Sequence, residues 1–423
     1  MIDITANPTV PHFSRKQQLR QYVLLFFCDP IHADCLRLVN ITHAEWKQLL
    51  HWLDTSGLAL YFLDRLTERD LTEILPPNIL ARLQQSMAQN AERIEAMVVE
   101  SNKIQLSLQE IGVPYAVLKG FSLCPISVPK PELRSQLDLD FLVSREHGAA
   151  AKHVLEENGY ELMAISGRSW EFKAHAGCTS SLKDLYKSGK TRSAELHVEN
   201  SSAHESALLN RLEWMPFRGI SMPVLPPVDL FLGQALHLYK HLLSEMHRAA
   251  HLVEFRRHVL ARSADEFFWH QVKDKALHDP DVYIRLGVVV QLTSLVMGKF
   301  APEALTAWTA DRLPAEIRLW LARHGHRLVL AGFPGSKLHL VLRKELEIAG
   351  VPTGGSRLTL LIPRRLPPAI THRVEGESLA TTIRRNLREL RFIAFRFRFH
   401  TIEGARYLLE SALWRQHKSR LIQ

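Results

Sequence analysis

The octapeptide LDLDFLVS, residues 137–144, sets two carboxylates, Asp138 and Asp140, in an otherwise apolar run. It follows AVLKG (116–120) and precedes REHGAAAKHVLEENGY (145–160), an amphipathic stretch of helical period. Side chains at i and i+2 of a strand point to the same face, so the two aspartates share one small volume. Their repulsion has to be relieved by a cation, a proton or solvent. A third acidic residue stands in a comparable apolar strand, Glu195 in AELHV, with His197 on its face. Three carboxylates on adjacent strands are hard oxygen ligands of the kind that suit Mg²⁺ or Mn²⁺ with substrate phosphates. Such a set can hold two ions about 3.5–4 Å apart and clamp both oxygens of an in-line phosphoryl or nucleotidyl displacement. An Asp-x-Asp pair alone is equally the mark of a solvated strand edge. Its context argues otherwise: Lys119 and Gly120 end the preceding strand, and Arg134 stands four residues before Asp138. Glycine lets backbone approach a phosphate, and the two cations neutralise it.

A chain of 423 residues has room for two or three domains. The composition, 46% hydrophobic and 23% charged, is that of an ordinary folded protein, which excludes a disordered or collagen-like chain. The longest apolar run, LGVVVQLTSLVMG (286–298), is too short to span a bilayer and contains Gln291 and Thr293. The first residues, MIDITANPTVPHFSRK, lack the layout of a signal peptide. Cys28, Cys35, Cys124 and Cys178 form no metal-ligand spacing and suit a reducing compartment, so a cytoplasmic location is expected. Charge is uneven: residues 301–423 hold 21 Lys+Arg against 10 Asp+Glu, while the rest of the chain is slightly acidic.

Periodicity divides the chain into four parts. Residues 1–111 read as a helical region, with helices in 14–28, 42–66 and 67–75 and a long one from Pro77 to Ile111. Residues 112–200 form a small α/β core: strands PYAVLKG, LDLDFLVS and YELMAI, then a hairpin of SWEFKAHAG with RSAELHVEN. Residues 201–300 read as a helical region completing the cleft. Residues 301–423 form a basic, mostly helical module in which GFPGSK, GVPTGGSR and LIPRRLPPAI are loops. The fold class is α+β, a small mixed sheet embedded in a mainly helical protein.

The ordered composite VLKG, Arg134, DLDFLV, LEENGYEL, ELHV and DLFLGQALHLYKH resembles the uncharacterised branch of the polymerase-beta-like nucleotidyltransferase superfamily. The resemblance spans about residues 40–300. It implies a minimal mixed sheet flanked by helices, metal-bound NTP with ATP the expected donor, and transfer of a nucleoside monophosphate to an acceptor. By position, Asp138 and Asp140 match the paired metal ligands and Glu195 the third carboxylate, which can also help deprotonate the acceptor. Gly120 matches the turn against the triphosphate, and Lys119 and Arg134 match the branch's basic positions. The chain departs from the pattern at Leu137, where glycine is usual, and at Val198, where an aromatic is usual. A catalytically degenerate binding or regulatory protein is the alternative reading.

The histidines and the basic tail carry separate readings. On one unbroken helix over 228–260, His237, His241, His247, His251 and His258 would share an arc of about 120°, although a break near Ser244 is expected. Three readings fit that arc: a polar face toward the nucleotide with His237 or His241 at a phosphate, a zinc site, and a satisfied buried face. SGKT (188–191) has Asp184 where a phosphate loop needs glycine. Arg384, Arg388 and Arg391 share a helical face, followed by Phe392, Phe395, Phe397 and Phe399 interleaved with arginine. This fits RNA, an anionic membrane surface, an acidic protein or a solvated basic face over an aromatic core.

Overall fold

The computed structural model describes residues 13–174, 184–188, 192–199, 208–245, 247–279, 281–363 and 378–422. The chain divides into two compact units, one of residues 81–235 and 363–401, the other of 1–80, 236–362 and 402–423. Its helices are α1 (Arg15–Leu25), α2 (His43–Ser56), α3 (Ala59–Glu68), α4 (Pro77–Glu110), α5 (Gly148–Glu157), α6 (Pro227–Leu242) and α7 (Ala250–Ala261). These are followed by α8 (Glu266–Leu277), α9 (Val282–Met297), α10 (Glu303–Thr306), α11 (Ala315–Val329), α12 (His339–Ile348), α13 (Arg357–Leu361) and α14 (Leu379–Ile422). The strands are β1 (Tyr115–Leu118), β2 (Asp138–Ser144), β3 (Glu161–Ser166), β4 (Ser169–Ala174), β5 (Arg192–Glu199), β6 (Glu213–Phe217) and β7 (Ile220–Val224). The fold is α+β, as the alternation of periods predicts.

All seven strands belong to the first unit and form one mixed sheet in the order β3-β4-β5-β2-β1-β7-β6. β2 pairs antiparallel with β1 and parallel with β5, so Asp140 lies opposite Leu118 on one side and Glu195 on the other. The period of two then sorts the strands by face. Leu139, Phe141 and Val143, with Ala194, Leu196 and Val198, turn into an apolar core built with Ile94, Val98, Ile104 and Leu108 of α4 and Val154 and Leu155 of α5. The opposite face carries Asp138, Asp140, Glu195 and His197. SWEFKA and RSAELHVE pair antiparallel as a hairpin, as expected.

The second unit is helical. α2 begins at Thr42, whose hydroxyl accepts from the Glu45 amide while the Glu45 carboxylate accepts from the Thr42 amide, a reciprocal cap. α9, the apolar run too short for a membrane, is buried instead: Val288, Val289, Val290 and Leu292 have no exposure. Gly325 of α11 lets that helix approach closely, because a side chain there would meet Leu292 and Leu295 within 2.7 Å. Among the described residues no helix is long and apolar enough to cross a membrane.

Several expectations are corrected. The helix expected over 42–66 is broken at Gly57, which caps α2 in the left-handed region at φ 74°. The stretch 67–75 forms only a short turn at Thr72–Ile74. Residues 201–300 are not helical throughout: β6 and β7 extend the sheet across an Arg218-Gly219 turn with both φ positive. Other readings stand: residues 301–360 carry α11 and α12 in line with the mostly helical module, and the histidine stretch breaks around Ser244, between the end of α6 at Leu242 and the start of α7 at Ala250. Most of SGKT, of the hairpin connection 175–191 and of LIPRRLPPAI lies outside the described residues.

Candidate active site

The parallel register of β2 and β5 sets Asp140 beside Glu195, and His197 follows two residues later on the same face. His197 Nε2 lies 2.9 Å from Asp140 Oδ1 and 3.4 Å from Glu195 Oε2. The Lys119 ammonium enters from the end of β1, donating to Asp140 Oδ1 at 2.6 Å, with Glu195 at 3.5 Å and His197 Nε2 at 3.3 Å. Lys119 reaches this point from a backbone with φ 51°, uncommon for a residue with a side chain. Asp140 is 3% exposed. Two acids, an imidazole and an amine therefore meet in a space largely closed to water.

The electrostatics follow from that arrangement. Burial and the neighbouring Asp140 push the Asp138 carboxyl up to about 6, against the opposing pull of Lys119 and Arg134. The hydrogen bond from His197 holds Glu195 down at about 2, despite burial. Burial works against the charged forms of Lys119 and His197, yet the carboxylates prevail and both pKa values are raised. For Lys119 the attraction comes chiefly from Asp140, and for His197 from its bonds to Asp140 and Glu195.

The donor set fits a divalent cation. Asp140, Glu195 and His197 each offer a ligand atom, all within 4.8 Å of one another. The Lys119 ammonium already stands among them as a positive charge, and the Asp138 carboxyl lies beside them with its pKa raised, first by burial and then by Asp140. Carboxylate oxygens in this number are the ligands that Mg²⁺ and Mn²⁺ take.

A family model described as uncharacterised nucleotidyltransferase matches residues 42–278, more than half of the chain. The chain belongs to that family. A solved structure, an antigenic nucleotidyltransferase-like protein from Paracoccidioides brasiliensis, is similar at 14% identity and a TM-score of 0.28, over 50% of this chain and 95% of that one. No curated protein matches.

Within this nucleotidyltransferase-family chain the structure also shows what holds the site, which the motifs do not reveal. Gln136 donates from its side chain to the Asp138 carbonyl at 2.7 Å and packs on Gly120 so closely that any Cβ there would meet it at 2.3 Å. Arg93 of α4 donates to the Gln136 carbonyl, and Asn90 to the carbonyls of Glu132 and Arg134. Ser169 donates to Glu195 from β4. The register is the one signal for Ser169, since it lies opposite His197. For Gln136 no sequence signal exists beyond its nearness to Asp138. Leu137, the departure from the pattern, is 53% exposed and stands outside this packing. His237 and His241 belong to the helical unit, where both meet His251.

Proposed function

We propose that this protein is a metal-dependent nucleotidyltransferase, moving a nucleoside monophosphate from an NTP, with ATP the expected donor, to an acceptor hydroxyl or phosphate. The observation that supports this reading is the convergence of Asp140, Glu195, His197 and Lys119 on one sheet face, beside Asp138, in a chain of this family. Asp138, Asp140 and Glu195 are the residues that would hold Mg²⁺ or Mn²⁺, and the bound ion supplies charge neutralisation and polarisation of phosphoryl oxygens. Lys119, ion-paired to Asp140, is the cation able to turn from carboxylate to triphosphate. Arg134, whose charge is felt at Asp138, neutralises the leaving pyrophosphate. His197 fixes both of the carboxylates it bonds. The hydrogen bond from His197 keeps Glu195 ionised. We assign it to ligation and charge.

One observation favours the degenerate alternative: Lys119 of the chain itself pairs with both Asp140 and Glu195. Incubating the protein with each labelled NTP, Mg²⁺ or Mn²⁺ and fractionated cell extract separates the two. Label passing to one fraction supports transfer, and Glu195→Gln should then lower kcat at least ~100-fold. NTP binding without transfer to any fraction favours the degenerate reading, and no NTP binding at all overturns both.

We further infer an anionic membrane surface as a partner of α14. Leu379, Ile383, Leu387, Leu390 and Phe397 recur at three-and-four spacing and are all exposed, Leu379 at 82% and Phe397 at 74%. Exposed Arg384, Arg388 and Arg391 flank them. An apolar stripe edged with arginine matches the acyl and phosphate layers of a bilayer surface. RNA would use the arginines and leave the stripe in water.

A further inference from the structure

The helical unit holds a second cluster of metal-binding groups. His237 and His241 stand one turn apart on α6, and His251 is the second residue of α7. Their ring centroids are 4.4, 5.1 and 5.5 Å apart, and each ring offers a nitrogen within 4.8 Å of the others. His251 is buried, the other two half-buried.

The segment joining the two helices is firmly held. The Arg343 guanidinium donates to the Leu243 carbonyl while also donating to the carbonyls of Thr353 and Gly354. The fully buried Lys337 ammonium pairs with Glu245 at 3.0 Å, and the Gly335 amide donates to the Glu245 carbonyl at 2.8 Å. Arg248 and Ala250 pack against Gly57. This bracing fixes how the start of α7 meets the end of α6, and with it the approach of His251 to the other two rings.

We propose that His237, His241 and His251 form a site for a divalent transition metal of the zinc class, distinct in chemistry from the carboxylate site. A ligand set of three imidazoles selects Zn²⁺, Co²⁺ or Ni²⁺ over Mg²⁺. With metal–nitrogen bonds of about 2.0–2.1 Å, tetrahedral ligand nitrogens lie roughly 3.3 Å apart. Small side-chain rotations from the present separations reach that distance. Among the described residues three protein ligands are at hand, and a tetrahedral ion takes one ligand more. The inference does not rest on the nucleotidyltransferase reading, since it uses other residues and another ligand chemistry.

The test is cobalt titration of the tag-free, chelator-stripped full chain, followed by visible d–d absorption. One equivalent of Co²⁺ should give the intense bands of a four- or five-coordinate ion, and Zn²⁺ should abolish them. Asp140→Asn should leave those bands unchanged, which separates this site from the carboxylate group. His241→Ala and His251→Ala should weaken binding at least ~100-fold, beyond the 10–100-fold cost of losing an outer hydrogen-bond partner. His237→Cys provides a gain of signal: it should keep the ion and add a thiolate-to-cobalt charge-transfer band. Absence of bands in the wild-type protein, their survival in folded His251→Ala, or cobalt-loaded His237→Cys without the charge-transfer band would each overturn the proposal.

Discussion

Asp138 and Asp140 are two residues apart on one strand face, yet their surroundings separate them. Asp140 is bonded by Lys119 and His197, whereas Asp138 is half-buried beside it with its pKa raised to about 6. A raised carboxyl pKa means that folding is favoured most below the unfolded value, near 4, and that this advantage is lost as pH rises through about 6. At neutral pH the ionised Asp138 costs roughly 1–3 kcal/mol. Asp138→Asn should therefore raise stability above pH 6 in urea denaturation without metal, while abolishing Mg²⁺-dependent NTP binding. Asp140→Asn should destabilise instead, because Lys119 and His197 lose their counter-ion. The cost should fall below the ~3–5 kcal/mol of a fully buried pair, since Lys119 keeps 25% side-chain exposure. Equal stability changes in the two variants would refute this division of roles. Gly120 is constrained in another way, by φ 40° and by the Gln136 side chain. Gly120→Ala should cost about 2–4 kcal/mol from backbone strain and overpacking. Gln136→Ala in the same chain should recover part of that loss, and strict additivity of the two changes would show that the clash is not the cause.

Elements differ in how openly the sequence declares them. β2 is legible because two acids in an apolar run name both its period and its exceptional face. α4 is legible from Pro77 at its first position and Gly112 just past its end. The β6–β7 hairpin is hidden by Pro216 and Pro223, residues that strands ordinarily avoid, and only the Arg218-Gly219 turn marks it. The candidate site divides the same way. Its three carboxylates, Lys119 and His197 follow from period and register. The ammonium's position among them depends on the positive φ at Lys119, and Gln136 and Ser169 join through contacts that no local pattern encodes. For α14, the arginines are visible in sequence, whereas the exposure of its apolar stripe, including Phe397, is a property of the fold. Of the four phenylalanines among the arginines, Phe395 and Phe397 are exposed and Phe392 and Phe399 half-buried. Replacing Arg384, Arg388 and Arg391 with glutamine keeps helix propensity and removes three charges. Binding to anionic vesicles should weaken markedly, and the wild-type affinity should fall only partly between 50 and 200 mM salt because the apolar stripe remains buried in lipid. Binding to RNA but not to vesicles would reverse the assignment.

At the scale of the molecule, acid should act first on the helical unit. His258, His324 and His339 are buried there, and burial lowers each pKa to about 4. An unfolded histidine takes its proton near 6.5, so between about 6.5 and 4 the unfolded chain binds more protons than the folded one. Stability should therefore fall as pH drops through that window, by up to ~1.4 kcal/mol per pH unit for each histidine. Asp138 works in the opposite direction but is one group against several, since burial also lowers His247 of this unit to about 4. Chemical denaturation at pH 7.0, 6.0 and 5.0 checks this, and a flat profile would contradict the burial. The sheet has a different consequence, in time. Val117 of β1 pairs with Val224 of β7, while β2 to β6 lie between them in the chain. During synthesis β1 can join β2 long before β7 has left the ribosome. Until then one side of β1 is an open edge, able to pair with any extended strand that reaches it. Nascent or truncated chains ending before Ile220 should therefore self-associate, and residues 220–224 close the sheet against its own neighbours.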